Sequence, residues 1–217
     1  MIILSASRGG TLLAWTFFVC SGRHSEIRGK LARMNKDSVL EALIALHAEI
    51  DREIGTLADR HAERLKCRRG CYHCCVDEIT VFEVEAERIR RNHAELLAEG
   101  KPFPRGACAF LSVHGVCRIY EDRPYLCRTQ GLPLRWIEEH EEDEVDAPDE
   151  AVEMRDICPL NERADEPLEQ LDASECWTLG PYEGMLAQLQ AAFGSDSMHR
   201  VRLRDLFRAP AGRAQRG

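Results

Sequence analysis

The longest regular pattern in the chain is a stretch of apolar residues at nearly helical spacing. Apolar side chains recur at Val39, Leu43, Leu46, Ile50, Ile54, Leu57 and Leu65. Ser38, with Glu41 three residues later, has the spacing of a capping box. The pattern predicts one amphipathic helix over residues 34–66. His47 and His61 lie on or near its apolar stripe and are expected to be core or boundary histidines and not metal ligands.

Two further helices are indicated by the same kind of spacing. Thr80 and Glu83 repeat the capping-box pattern, and the apolar positions that follow predict a helix that ends at Gly100. A glycine and a proline open the last helix, which is expected to lie between Gly180 and Gly194. Helix is therefore the expected main element of the chain.

The middle of the chain has a different pattern. Residues 108–111 and 116–120 are short apolar runs on either side of a Ser-Val-His-Gly turn, which predicts a β-hairpin. Asp122 is placed to cap a short helix that contains Cys127. We therefore expect a mainly α protein with a cysteine-rich, irregular metal-binding domain and a small β-hairpin.

Composition adds one dominant feature, because the 217 residues include ten cysteines. The net charge of -8 comes from one segment, residues 138–150, which holds nine acidic residues and no lysine or arginine. Such a run repels itself and is expected to be a solvated loop. The rest of the chain shows no large basic face, so nucleic acid is not an expected partner.

The first 33 residues form a segment of a different kind. Residues 11–19 are an apolar run behind Arg8, which resembles the core of a signal peptide but is too short to span a membrane. Residues 20–23 make no convincing cleavage site. Met34 stands directly before a good helix start, so we expect residues 1–33 to be a non-native or flexible extension from an upstream start codon. A cytoplasmic protein without a membrane partner is the expectation.

Cysteine spacing is the strongest indication of function. Residues 67–75 contain four cysteines as C-x3-C-x2-CC, in a loop that follows the first helix. Thiolates only a few residues apart can converge on one metal or cluster without a long loop closure. Of the five cysteines that follow, the first four join this cluster, so the candidate metal ligands are Cys67, Cys71, Cys74, Cys75, Cys108, Cys117, Cys127 and Cys158.

The adjacent pair Cys74 and Cys75 leads to a geometric expectation. In extended backbone, neighbouring side chains point to opposite sides, so the two thiols are expected to serve different metals or different edges of one site. Eight thiols fit two zinc sites of four cysteines each, or one four-cysteine iron–sulfur cluster and a second centre. Both alternatives stay open.

Arginine directly follows three of the cysteines, at Arg68, Arg118 and Arg128. These cations either stabilise thiolates or are ordinary solvated surface, and the sequence favours neither. Cys176 lies beyond the eight candidates. We expect it to be a plain buried thiol, with a spare metal ligand as the alternative.

Two other interpretations of the cysteines are less consistent with the sequence. A disulfide framework is not favoured, because no convincing export signal is present and a chain of this length with amphipathic helices does not need one. The first three cysteines have the spacing found in radical-SAM enzymes. However, the succession of strand and helix units that builds their barrel is missing from the pattern.

The segments CRRGCYHCC, CAFLSVHGVCRIYEDRPYLCR and ICPL resemble the YkgJ family of cysteine-cluster proteins. The resemblance covers about residues 67–158. Its most specific parts are the C-x3-C-x2-CC cluster and the stretch C-x-I-Y-x2-R-P-x2-C between Cys117 and Cys127. It implies a zinc- or iron-chelating domain whose ligands are the eight cysteines named above. Residues 1–33 and the acidic segment have no counterpart in the family pattern.

The expected function is metal binding without an assigned reaction, through an iron–sulfur cluster or iron, with zinc as the alternative. No nucleophile with its base, phosphate loop or dinucleotide fingerprint is recognisable. The enzymatic alternatives are an iron–sulfur oxidoreductase for electron transfer and, by analogy with flagellin lysine methylases that carry a similar cysteine cluster, a protein lysine methylase-related enzyme. A redox or client protein is the expected partner besides metal ions. We expect a metal-binding domain over residues 67–160 and a helical extension over residues 161–217.

Overall fold

A long helix precedes the cysteine loop. The computed structural model describes residues 35–68, 70–138, 152–194 and 199–208. Helix α1 spans Lys36–Arg60, and the side-chain oxygen of Asn35 caps it by accepting a hydrogen bond of 2.9 Å from the Ser38 amide. Ser38 was the predicted cap, but the helix begins earlier because Asn35 supplies an equivalent acceptor three residues before it. Residues 1–33 lie outside the described residues.

Helix α1 also ends before the predicted boundary at residue 66. The chain turns after Arg60, and the Arg64 amide donates to the His61 carbonyl. The Lys66 amide then donates to the side-chain oxygen of Asn161 at 2.8 Å. This contact between distant segments holds residue 66, which directly precedes the cysteine loop. It therefore sets the direction in which the loop begins.

Nine further helices and strands follow α1 in the described residues. In chain order they are β1 (Thr80–Phe82), α2 (Glu83–Asn92), α3 (Ala94–Glu99), α4 (Tyr125–Arg128), β2 (Leu134–Glu138), β3 (Val152–Asp156), β4 (Trp177–Thr178), α5 (Pro181–Phe193) and β5 (Arg200–Arg202). Short 3-10 turns lie at Tyr120–Asp122, Pro159–Asn161, Leu168–Gln170, Ala173–Glu175 and Leu203–Phe207.

The start of α2 differs from the prediction. Thr80 was expected to cap this helix, but it lies in β1, which pairs antiparallel with β5 with Thr80 opposite Arg202. The helix starts three residues later, where the Glu85 carboxylate accepts a 3.3 Å hydrogen bond from the Phe82 amide. Gly100 ends the helical stretch as predicted, but the stretch is two helices, α2 and α3, which are separated at His93.

A three-stranded sheet makes the fold mixed α and β, which corrects the prediction of a mainly α protein. Strand β2 is central, antiparallel to β3 and parallel to β4, and Trp177 lies opposite Leu134. The strands are short and carry several charged residues, so hydrophobic alternation did not indicate them. Residues 139–151, with most of the predicted acidic loop, join β2 to β3 in sequence and lie outside the described residues.

The predicted hairpin is present only in reduced form. Leu111 and Cys117 form an isolated antiparallel bridge, and the Ser112 amide donates to the Val116 carbonyl at 2.9 Å. The Cys108 amide donates elsewhere, to the Cys75 carbonyl at 2.9 Å. The start of the first apolar run is therefore tied to the cysteine loop, whereas Phe110, later in the run, accepts a 2.9 Å hydrogen bond from the Arg118 amide across the hairpin.

The short helix α4 has a different start from the one predicted. Pro124 is its N-terminal flanking residue, and Asp122 ends the preceding 3-10 turn. The Asp122 carboxylate instead accepts hydrogen bonds from Arg88 at 2.8 Å and from Asn92 at 3.1 Å, and lies 2.9 Å from His93 Nε2. Helix α4 nevertheless contains Cys127, as predicted.

Two apolar clusters form most of the described core. The first cluster packs α1 against α5, and α5 begins after Gly180 and ends before Gly194 as predicted. The second cluster consists of Val81, Ala86, Ile89, Cys108, Phe110, Leu111, Ile119, Leu203 and Leu206, with Cys75 and Cys117 packed against it. His47 and His61 are buried, as predicted. Within the described part of the chain, every helix is too short or too polar to cross a membrane.

Candidate metal centre

The loop after α1 is built from consecutive turns. The Cys71 amide donates to the Arg68 carbonyl at 2.8 Å, and the Cys75 amide donates to the Tyr72 carbonyl at 2.9 Å. Gly70 has φ +89°, a left-handed conformation that glycine adopts without steric cost. The turns bring four cysteines into a compact segment.

All nine cysteines in the described residues have free thiols. Cys67 is exposed and Cys108 is buried, whereas six of the eight candidate ligands have intermediate exposure. The candidate set therefore extends from the surface into the second apolar cluster. A reduced, unpaired thiol is the form that can lose its proton and bind a metal.

Asn161 connects the first and the last candidate ligand. Its backbone amide donates to the Cys158 carbonyl at 2.7 Å, and its side-chain Nδ2 lies 3.5 Å from the Cys67 Sγ. The same Nδ2 donates to the Gly131 carbonyl at 2.7 Å. Asn161 is fully buried, so its hydrogen bonds fix three separate chain segments relative to each other.

Gly131 lies directly beneath the Cys67 thiol. Its φ is +97°, and a Cβ at this position would lie 2.6 Å from the Cys67 Sγ and 3.3 Å from the Asn161 Nδ2. A side chain would therefore occupy the space that the sulfur fills. The cradle requires glycine both for its backbone conformation and for its volume.

The extended backbone assumed for Cys74 and Cys75 is not present, because residues 72–75 form a turn closed by the bond from the Cys75 amide to the Tyr72 carbonyl. Interaction with the Cys75 side chain lowers the pKa of Cys74, and interaction with the Cys74 side chain raises the pKa of Cys75. Of the two sulfurs, Cys74 is thus the one more readily converted to thiolate.

Burial disfavours the ionised form of three downstream thiols. It raises the pKa of Cys108 to about 11, and it also raises the pKa of Cys117 and of Cys127. Arg123 and Arg118 oppose the shift at Cys117 with their positive charges. A metal cation would remove the cost of ionising these buried thiols, because it binds the thiolate directly.

The arginines that follow cysteines mainly support the fold. Arg118 donates to the Lys101 carbonyl at 2.9 Å and the Ala109 carbonyl at 2.7 Å. Arg128 is buried, pairs with Asp51 and donates to the Glu121 carbonyl. Solvated surface is therefore wrong for these two residues, since both tie loops together.

The eight candidate thiols do not form a finished metal site in the part of the chain that the structure describes. Among the described residues, no three His, Cys, Asp or Glu side chains are arranged closely enough to hold a metal ion. The donor set nevertheless fits such a group in chemistry, because it consists of free thiols in a compact segment with a glycine cradle under Cys67. Binding would then draw the sulfurs together, as in proteins where metal binding and folding are coupled.

Three supporting residues were not predicted from the sequence. Asn161 and Gly131 hold the Cys67 thiol, and the buried Glu85 accepts a 2.8 Å hydrogen bond from the Tyr125 amide at the start of α4. Burial alone would raise the pKa of Glu85, but its hydrogen bonds outweigh this and lower it. A weak sequence indication for Asn161 is its position three residues after the candidate ligand Cys158, at the end of the turn Pro159–Asn161.

Comparison with known proteins identifies the segment that carries these cysteines. Residues 66–159 match the CxxCxxCC family, described as "Putative zinc- or iron-chelating domain". This segment of the chain is similar to the YkgJ-type cysteine-cluster family. The family description indicates metal binding, and all eight candidate ligands lie within the matched residues, whereas Cys176 lies beyond them. Neither the curated proteins nor the solved structures contain a match to the chain.

Proposed function

We propose that this YkgJ-type domain holds an iron–sulfur cluster or zinc through its eight cysteines. The observation that supports the proposal is that contacts tie two distant cysteines, Cys108 and Cys158, to the cysteine loop. Cys108 is tied to that loop by the bond to the Cys75 carbonyl, and Cys158 by way of Asn161 and Cys67. The ligand set is Cys67, Cys71, Cys74, Cys75, Cys108, Cys117, Cys127 and Cys158.

The donor chemistry is compatible with both kinds of centre. Four thiolates complete the coordination of a structural zinc ion, and four cysteines hold a [2Fe–2S] or [4Fe–4S] cluster. Zinc would stabilise the fold without redox activity. Iron–sulfur would add a reducible centre, and its thiolate ligands fit the reducing cytoplasm, where cysteines stay unpaired.

Electron transfer to a redox or client protein is the second candidate function. It is supported by the exposure of Cys67, which brings one end of the candidate set to the surface. Tyr72 is also exposed, with 53% of its surface accessible, and stands in the same loop. A centre near the surface can exchange electrons with a docked partner. The lysine methylase-related activity has no supporting observation among the described residues.

Metal and sulfide analysis of the full chain, purified without oxygen, tests the proposal. Iron with acid-labile sulfide and a reducible absorption spectrum supports a cluster, and zinc without sulfide supports the zinc form and contradicts electron transfer. Cys71→Ser and Cys74→Ser should lower the metal content, whereas Cys176→Ser should leave it unchanged. Unchanged metal content in the first two variants would contradict the ligand assignment.

A further inference from the structure

A buried histidine lies where α1 meets α2. His47, on α1, is 2% exposed, and its Nδ1 lies 2.7 Å from a guanidinium nitrogen of Arg88 on α2. Its other ring nitrogen, Nε2, lies 3.5 Å from Oε1 of Glu85, which is also on α2. Both ring nitrogens therefore face charged side chains in the protein interior.

The contact with Arg88 sets the protonation state of the ring. A guanidinium has N–H donors and no acceptor, so Nδ1 of His47 accepts this hydrogen bond with its lone pair. The ring is therefore neutral, and its single proton lies on Nε2, toward Glu85. A second proton on Nδ1 would point at the Arg88 donor, so the hydrogen bond would be lost.

The charged groups that face the imidazole come from α2 and α4. They are Arg88 and Glu85 on α2, and Arg128 on α4, which pairs with Asp51. Helix α5 also packs on α1, and its one charged residue is Glu183, whose carboxylate caps the start of that helix. Burial contributes most to the lowered pKa of the imidazole, Arg128 and Arg88 act in the same direction, and Glu85 opposes them. The surroundings thus disfavour a charged ring.

The partners of the imidazole also hold neighbouring elements. Glu85 accepts a 2.8 Å hydrogen bond from the Tyr125 amide at the start of α4. Arg88 pairs at 2.8 Å with Asp122, in the turn that precedes α4. A change of charge on the ring therefore acts on α2, on this turn and on α4.

From this contact geometry we infer that His47 is a pH-sensitive switch, in which a second proton on Nδ1 breaks the bond to Arg88 and loosens the junction of α1 with α2 and α4. The proton comes from the solvent, and the imidazole becomes an imidazolium. The inference goes beyond the proposed metal function, because the histidine and the arginine lie outside the candidate ligand set.

The switch acts in a defined pH window. A histidine in the unfolded chain takes up its second proton near pH 6.5, whereas burial holds the folded pKa of His47 below that value. The unfolded chain therefore binds more protons between the two values. The stabilisation is fully present above about pH 6.5 and is lost as the pH falls toward the folded pKa.

Urea denaturation of the full chain and of His47→Asn, from about pH 7.5 to about pH 5 under reducing conditions, tests the inference. Asparagine keeps a side-chain acceptor for Arg88 and takes up no proton in this range. Relative to the variant, the unfolding equilibrium constant of the wild type should rise by up to about tenfold per pH unit below about pH 6.5. The comparison cancels the carboxylates and thiols that both proteins share. Parallel curves overturn the inference.

His61→Asn is the matched control on the segment that follows α1. His61 is also buried, but its Nε2 lies 2.7 Å from the Glu175 carbonyl, which accepts a hydrogen bond from a neutral or a charged ring. This variant should keep the wild-type pH dependence. An equal loss of pH dependence in both variants would contradict a special role for the contact with Arg88.

Nitrogen NMR of the wild-type histidines keeps the test decisive if His47→Asn fails to fold. At about pH 7.5 the His47 ring should carry a proton on Nε2 and a lone pair on Nδ1. Acidification should add the second proton and, after correction for intrinsic rates, speed amide exchange in α2 and α4. A proton on Nδ1 at about pH 7.5, or protonation without faster exchange, overturns the inference.

Discussion

The side-chain Nδ2 of Asn161 lies 3.5 Å from the Sγ of Cys67, although 94 residues separate the two in sequence. The same nitrogen donates to the Gly131 carbonyl, and the side-chain oxygen accepts from the Lys66 amide. One buried amide thus fixes both ends of the cysteine segment. Hydrogen bonds of this kind orient metal ligands and moderate the charge on the sulfur.

Asn161→Asp should weaken metal binding. The carboxylate keeps the acceptor for the Lys66 amide but loses the N–H groups that face Cys67 and Gly131. Loss of such a supporting partner typically costs about 10–100-fold in metal affinity. Titration of the loaded protein with a competing chelator measures the change.

Gln190→Glu is the matched control for this substitution. Gln190 is a buried amide on α5 whose oxygen accepts a 3.0 Å hydrogen bond from the Val84 amide, away from the cysteine segments. The variant introduces the same chemical change at a site away from the candidate ligands and should leave metal affinity unchanged. Equal effects of the two variants would show that Asn161 has only a general structural role.

Gly131→Ala should destabilise the protein and disturb the Cys67 side chain. The added Cβ would lie 2.6 Å from the Cys67 Sγ, and the left-handed φ of +97° adds strain of about 1–3 kcal/mol. Urea denaturation measures the loss, and a chelator titration measures the effect on metal.

Gly184→Ala provides the contrast on a helix. No atom lies within 4 Å of a Cβ built at Gly184, which sits inside α5. Alanine should therefore stabilise the protein by about 0.5–1 kcal/mol, since glycine is unfavourable in a helix interior. If Gly131→Ala is as stable as Gly184→Ala, the claim that position 131 requires glycine beneath the Cys67 thiol is contradicted.

The sequence predicted the features that depend on local spacing and missed those that depend on distant partners. Helix α5 was correctly bounded because Gly180 and Gly194 act within one turn of its ends. Asn161 was missed because its role arises from contacts with the segments of Lys66 and Gly131. The ligand assignment itself stays a prediction.

The sheet was missed for a similar reason. Strand β4 is two residues long, and only its pairing with β2 makes it a strand. At Thr80 the local pattern was misleading. The capping-box spacing is present in the sequence, but the pairing of β1 with β5 places Thr80 in a strand. Pairing across the chain decides such elements, and local propensity does not.

Asp122→Asn should destabilise the protein near neutral pH. The carboxylate is 12% exposed and lies 2.8 Å from Arg88 and 2.9 Å from His93. Breaking such a buried pair costs about 3 kcal/mol, because the remaining cation loses its partner. Chemical denaturation at pH 7 measures the loss, and little change in the exposed-pair variant Asp165→Asn is the expected control.

The same carboxylate gives a defined pH dependence. Burial alone would raise the pKa of Asp122, but hydrogen bonds from Asn92 and Arg88 outweigh it and lower the pKa. A lowered folded-state pKa means that the stabilisation is present above the unfolded pKa of about 3.9 and is lost as the pH falls through the folded value. Wild-type stability should therefore fall more steeply than that of Asp122→Asn below about pH 4. Parallel curves would contradict this role.

Cys176→Ser should reduce stability slightly without changing metal content. Cys176 lies in a small apolar cluster with Ile157, Leu168 and Leu171, outside the family segment. A hydroxyl placed there without a partner costs about 1–3 kcal/mol. Thermal unfolding and metal analysis of the same sample check both parts, and a loss of metal would make Cys176 a ligand.

Metal-dependent protection of individual thiols from alkylation tests the ligand assignment most directly. The full chain is treated with iodoacetamide with and without bound metal, and each cysteine is quantified by mass spectrometry. Cys67 is the most informative residue, because it is exposed and the reagent can reach it without metal. We predict that metal protects Cys67, Cys71, Cys74 and Cys158 and leaves Cys176 unchanged. Equal alkylation of these four thiols in both samples would contradict metal binding by this segment.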